Sequence, residues 1–428
     1  MKNTIKDLKT FLILWSTQSL SQLGSAMTGF ALTLWLYEKT GSALQTALLA
    51  VCSYAPYVVM SIFAGALSDR WDKKKVMLVC DTMAACCSVA VLVLLKADLL
   101  LPVHMYILNA LTGLMNTVQQ PASDVAMTMI TPKEYYQKTS GLRSLSASLV
   151  TILNPILATA LYALAGMDIV IYVDLTTFAI AFLSLLSGVK LSVPEKKEEA
   201  EKESFLETAR AGLVCLRKNE LVLVLILFLA GVNFVASAFD AVLPALILPR
   251  KNGGEAVLGM VTSCAGIAMF AGSLIVTVLP APKNRIRVIY LTMLFSLGTE
   301  NFILAFTDWP VLWCVGQIIG WLLVPVMSAN LDVILRTTIP LDMQGRVYSC
   351  RNTLQFFTIP IGLLFGGFMV DDMCEPVIAA ASAQGMLVRL FGAGKGSGAA
   401  MMMFILGVLG VVICLGFGRV LRRYRYTE

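Results

Sequence analysis

The chain has 428 residues, of which 57% are hydrophobic and 14% charged, with a formal net charge of +6. Its mean hydropathy of +0.78 exceeds what a water-soluble core can absorb, so a polytopic membrane protein is expected and a soluble domain is excluded. The basic residues sit at the ends of apolar runs, which argues for membrane topology and against nucleic acid. Ten cysteines without a CxxC pair and a single histidine, His104, give no basis for a disulfide framework or a metal centre, and no cofactor is expected.

Apolar runs near 11–37, 44–68, 76–95, 103–130, 139–165, 168–189, 221–248, 256–280, 286–306, 311–335, 346–370 and 399–420 predict twelve transmembrane helices, spans 1 to 12. The run from Phe11 is too long for a cleavable signal. Placing both termini in the cytoplasm puts 27 of the 33 Lys and Arg inside and leaves Lys39, Lys96, Arg250, Lys251, Arg389 and Lys395 outside. The spans divide into a six-helix bundle over 1–190, a cytoplasmic linker over 191–220 and a second bundle over 221–428, with a long outer loop at 371–398.

Span 1 carries Gln18, Gln22, Ser25 and Gly29 at helical spacing on one face. Polar groups inside a span are costly unless they meet one another or a water-filled cavity, so this stripe marks a substrate path. Span 2 ends in a packet of charge, Gly65-Ala66-Leu67-Ser68-Asp69-Arg70-Trp71-Asp72-Lys73-Lys74-Lys75. Span 4 supplies Asn109, Thr112, Asn116 and Gln120, and ends at Asp124. Span 6 holds a deep carboxylate, Asp174, near its outer end. In the linker, Ser204 and Glu207 form a capping box ahead of Leu206, Ala209, Leu213 and Leu216, the pattern of a short amphipathic helix.

Span 7 brings Asn233, Ser237 and Asp240; span 9 brings Glu300; span 10 brings Gln317 and Trp321. Asp240, Glu300 and Asp174 are the candidate proton-coupling groups, Asp240 foremost, because a carboxylate in a span has few ways to stay ionised. Tyr54, Tyr57, Phe30, Trp35, Phe234, Phe239 and Trp321, with Met27, Met115 and Met260, suggest an adaptable apolar lining suited to amphipathic solutes. No lysine or arginine lies at mid-depth in spans 1, 4, 7 or 10 to clamp an anion. The Gly-rich run Gly392 to Gly398 lacks phosphate-loop spacing and reads as an outer lid or linker.

The halves repeat weakly: Asp124-Val125 with Pro132, Gly141 and Pro155 correspond to Asp332-Val333 with Pro340, Gly345 and Pro360. The packet from Gly65 to Lys75 resembles the loop between helices 2 and 3 of the major facilitator superfamily, with Asp72 where the family has a second glycine. Together with Gln120-Pro121-Ala122-Ser123, Thr131-Pro132-Lys133-Glu134, Gly345-Arg346-Val347 and Gly394 to Gly398, it is similar to bacterial macrolide-efflux-like exporters.

That resemblance implies an all-α fold of two pseudo-symmetric six-helix bundles and a cavity lined by helices 1, 4, 7 and 10. It implies alternating-access export of amphipathic compounds, with the proton as coupling ion, from the bacterial cytoplasmic membrane. It also implies a gate at Gly65, Asp69, Arg70, Lys73 and Asp124, in which Asp69 caps helix 11 and Lys73 pairs with Asp124. The helix 4 arginine of drug and proton antiporters is replaced by Asn109, and most helix 5 glycines are absent. Other readings are a lipid or lysolipid mover of the same fold and a non-transporting receptor or scaffold. A monomer is expected.

Overall fold

The computed structural model describes residues 8–70, 72–132, 135–188, 214, 216–278, 280, 282–382 other than 340, and 384–424, without the side chains at 59, 61–70, 121, 136–138, 140, 141, 144, 188, 277, 336, 341–346, 348 and 349. All regular elements among them are helical. Eight tracts among them are long and apolar enough to cross a membrane, and Leu145–Ser187, at 43 residues, is long enough for two crossings.

The first compact unit comprises Met1–Lys39 and Leu49–Ala200. Its helices are α1 (Lys9–Thr40), α2 (Ala43–Arg70), α3 (Lys73–Lys96), α4 (Pro102–Met129) and α5 (Tyr136–Gly188), the first turns of α2 up to Leu48 belonging to the second unit. Gly166 breaks α5 at φ 78°, a left-handed value that suits glycine, and its two limbs correspond to spans 5 and 6. Asp72 accepts from the Lys75 amide at 3.0 Å and is the N-cap of α3, a physical reason for an acid where the family carries glycine. Along α1, Phe11 and Leu14 pack in one apolar cluster with Met77 and Leu185, and Met27, Ala31 and Leu36 in another with Met105 and Ile171. The polar stripe of α1 lies between those two plugs.

The second unit comprises Thr40–Leu48 and Glu201–Glu428. It contains α6 (Glu220–Ile247), α7 (Glu255–Val278), α8 (Arg285–Phe306), α9 (Pro310–Leu322), α10 (Val324–Thr338), α11 (Leu341–Phe356), α12 (Thr358–Phe368), a π-helical turn (Met369–Cys374), α13 (Glu375–Ala380), α14 (Met386–Phe391) and α15 (Ser397–Leu421). Span 10 is two helices because Pro325 opens α10 after a turn at Leu323. Span 11 also divides, at Phe357, just before Pro360.

One expectation changes here. The segment from Asp371, read as loop, is helical to Ala380, because its carboxylates find backbone donors and its apolar residues Val370, Cys374 and Ile378 are buried. Arg250 then ties the remaining turns together, donating to the carbonyls of Thr307 (3.1 Å), Phe391 (3.1 Å) and Gly396 (3.3 Å) and to Asp308 (3.2 Å). Burial pushes its guanidinium below the usual arginine range, and the Asp308 and Glu375 carboxylates work against that. The expected linker helix falls almost wholly outside the described residues.

Candidate functional site: a polar cavity in the first unit

Gln18, Gln22, Ser25 and Gly29 of α1 line a cavity of about 830 Å³ with Asn109, Thr112, Asn116 and Gln120 of α4. The two stripes read from spans 1 and 4 therefore meet in one place. Closing the cavity are α3, with Asp81 and Ser88, and α5, with Arg143, Ser146 and Asp174.

Asp174 is 4% exposed and accepts from the Ser25 hydroxyl at 2.9 Å and the Ser88 hydroxyl at 2.8 Å. Gly24 makes this possible: a Cβ there would stand 2.3 Å from the Thr177 hydroxyl and 3.1 Å from the Asp174 Cα. Only a glycine lets the second limb of α5 come that close to α1. Asp81, 7% exposed, accepts from the Gln18 amide at 3.4 Å and from the Gln119 amide. Sequence reading missed Asp81; the signal was its seven-residue spacing from Ser88, which matches that of Gln18 from Ser25.

Arg143, read as a topological charge, lines the cavity and pairs with Asp124. Asp124 thus takes Arg143, along with the Gln120 amide at 3.4 Å, where Lys73 was expected. The physical reason is proximity, since α5 brings the guanidinium to the end of α4, while Lys73 is buried at the start of α3. Gly65, Asp69 and Arg70 continue the backbone of α2, but their side chains, and with them the expected cap on helix 11, lie outside the described residues.

The residues expected to supply an apolar lining are not the ones that line this cavity. Its large apolar members are Trp15, Met127, Leu175 and Phe178, whereas Phe30 and Trp35 pack against an apolar cluster and Tyr54 is half exposed. Asn109 also donates to the Leu49 carbonyl at 2.6 Å, tying α4 to α2.

In the second unit, Asn233 donates to the Gln355 carbonyl at 3.1 Å, and the Ser237 hydroxyl bonds back to the Asn233 carbonyl at 2.7 Å. Gly362 of α12 sits directly on Ser237, where a Cβ would come within 2.2 Å of its oxygen. Both polar residues are thus engaged in packing α6 on α11 and α12. Asp240 is exposed on α6.

Glu300, the candidate from span 9, is 5% exposed, with Trp321 beside it and Asp240 within electrostatic reach. Its carboxylate fills the space of a missing side chain at Gly320, whose Cβ would lie 2.0 Å away. Gln317 is 1% exposed, and its amide nitrogen has no partner among the described residues. Asp240, Glu300 and Trp321 thus gather in the second unit.

An all-helical chain with apolar crossings and a polar cavity inside a bundle is a polytopic membrane transporter. The chain belongs to the major facilitator superfamily, whose family profile matches residues 14–363. Macrolide efflux protein A of Streptococcus pyogenes is 25% identical over 365 residues, covering 84% of this chain and 89% of that protein. The multidrug efflux pump Tap of Mycolicibacterium fortuitum is 23% identical over 81% of this chain and 86% of its own. In fold, the chain is similar to an inward-facing, occupied bacterial homologue of the human lysosomal transporter Spinster, with a TM-score of 0.70 at 13% identity over 98% of both chains. The nucleoside transporter NupG gives a TM-score of 0.65 at 15% identity, over 97% of this chain and all of that one.

Proposed function

We propose that this transporter works by alternating access in a bacterial cytoplasmic membrane, with both termini inside, and exports amphipathic compounds such as macrolides in exchange for protons. The observation that carries the reading is the cavity of about 830 Å³, large enough for a drug-sized solute and lined by the α1 and α4 stripes. Support for the direction and the substrate class comes from the efflux proteins among its relatives. Coupling is assigned to Asp240 and Glu300, because Glu300 is buried against Gly320 with Asp240 in electrostatic reach, and two such carboxylates on separate spans resist holding two charges at once. A lipid mover fits less well, since amides and hydroxyls from Gln18, Gln22, Asn109 and Asn116 interrupt the apolar wall.

Inside-out vesicles carrying the protein should accumulate a labelled macrolide when a proton gradient is imposed, and a protonophore should abolish uptake. Asp240→Asn and Glu300→Gln should each remove the gradient dependence. Gradient-driven uptake that persists in both variants would defeat the coupling assignment, and an absence of uptake by wild type would defeat export.

A further inference from the structure

Asp81 and Asp174 are the two lining carboxylates, each more than nine-tenths buried, and neither is bonded to a basic side chain among the described residues. Arg143, the basic member of the lining, is already neutralised by Asp124. The cavity is therefore acidic whenever both carboxyl groups are ionised, and a charge buried without a counter-ion is costly.

The two groups are held in different ways. Both oxygens of Asp81 receive amide N–H groups, from Gln18 and Gln119, and an N–H group can only donate. That shell suits a carboxylate and offers nothing to a carboxylic acid proton. The shell of Asp174 is made of hydroxyls, from Ser25 and Ser88, which donate or accept and so serve either protonation state.

Asp81 is thus the lining carboxyl whose shell favours the ionised form. The seven-residue offsets from Gln18 to Ser25 and from Asp81 to Ser88 set the two carboxyl groups about 10 Å apart along the wall. Ala84 and Ala85 lie in the lining between them and leave width for a ligand. Trp15 belongs to the same lining, and its indole N–H is buried and without an acceptor among the described residues. A buried donor of this kind asks for a ligand oxygen.

We propose that the cavity recognises a protonated amine on an oxygen-rich body, with the ammonium at Asp81 and an ether, hydroxyl or carbonyl oxygen at Trp15. This names the substrate class for the exporter reading above and rests on that reading for transport alone, because binding is measured separately.

The test uses the full chain in lipid nanodiscs and equilibrium binding of three labelled probes. They are a macrolide bearing a tertiary amine, the same macrolide with a hydroxyl in place of that amine, and tetraphenylphosphonium, a cation without hydrogen-bonding groups. Wild type should bind the amine at least tenfold more tightly than its hydroxyl counterpart. Asp81→Asn should erase that preference by weakening the amine form the more, and Asp81→Glu should restore part of it. Trp15→Phe should weaken both macrolides severalfold and leave tetraphenylphosphonium unchanged, which keeps the proposal testable should the Asp81 variants fail to fold. Equal binding of the two macrolides by wild type, binding of neither, or a preference that survives Asp81→Asn overturns it. Normal binding with no export from vesicles would sink the export reading alone.

Discussion

Asp371 accepts a hydrogen bond of 2.5 Å from the Ser42 hydroxyl, and its two oxygens also receive the backbone amides of Ala43 (3.0 Å) and Leu44 (2.8 Å). A carboxylate from the π-helical turn is in this way the N-terminal cap of α2, where amide groups lack intrahelical partners and the helix dipole favours negative charge. Gly367 allows the approach, since a Cβ there would stand 2.7 Å from the Leu44 Cα.

Asp371→Ala should remove all three bonds and destabilise the protein by about 1–2 kcal/mol, the usual scale for a lost cap. Asp371→Asn, which keeps an acceptor, should lose less. Thermal unfolding in detergent, followed by tryptophan fluorescence, gives the order; equal midpoints for wild type and Asp371→Ala would contradict the role.

Gly24→Val should separate α1 from α5, because even the first side-chain carbon overlaps Thr177. Overpacking of this kind costs about 1–3 kcal/mol. Macrolide transport should fall together with stability, whereas Ser25→Ala, which removes one bond to Asp174, should leave the midpoint nearly unchanged.

Gly320→Ala should evict the Glu300 carboxylate from its pocket. If coupling depends on where that carboxylate sits, the variant should bind the macrolide normally and lose gradient-driven uptake, as Glu300→Gln does. Uptake equal to wild type would show that the position of Glu300 is not needed.

Asp124→Asn should release Arg143 as an unpaired positive charge in the cavity lining. Binding of the amine macrolide should weaken severalfold, and the double variant Asp124→Asn with Arg143→Gln should recover it. Unchanged binding in the single variant would mean that Arg143 does not reach the ligand.

Arg250→Met should leave three backbone carbonyls without this donor and unfasten the turns at 307–309 and 391–397. A loss of about 2–4 kcal/mol is expected, as for unsatisfied buried acceptors, seen as earlier proteolysis in the 381–397 segment.

Much of the cavity was legible because helical spacing alone puts Gln18, Gln22, Ser25 and Gly29 on one face, and uncharged polar groups in a span have few other uses. The separate apolar runs at 139–165 and 168–189 likewise fell on either side of the break at Gly166 in α5. Asp81 was missed although it falls inside the apolar run at 76–95, because its spacing from Ser88 gains meaning only beside the matching pair on α1. Arg143 escaped for a similar reason: its charge fitted the topology count, and only the packing of α5 turns it toward the cavity. The role of Gly24 depends on what stands opposite, which no single sequence displays. Asn233 and Ser237 show the converse, since a polar stripe at helical spacing also serves to join helices.

The π-helical turn at Met369–Cys374 acts on the chain like an inserted letter in a reading frame. Its one extra residue advances everything beyond it by about 100° around the helix axis. Downstream of that phase shift, Glu375 reaches the Gly396 amide at 2.8 Å and Ile378 stays buried. Deleting one residue from the turn would restore the ordinary α phase and rotate Glu375 away from Gly396. The cap on α2 and the anchor on the glycine-rich segment are therefore compatible only while the helix is out of step by that single residue.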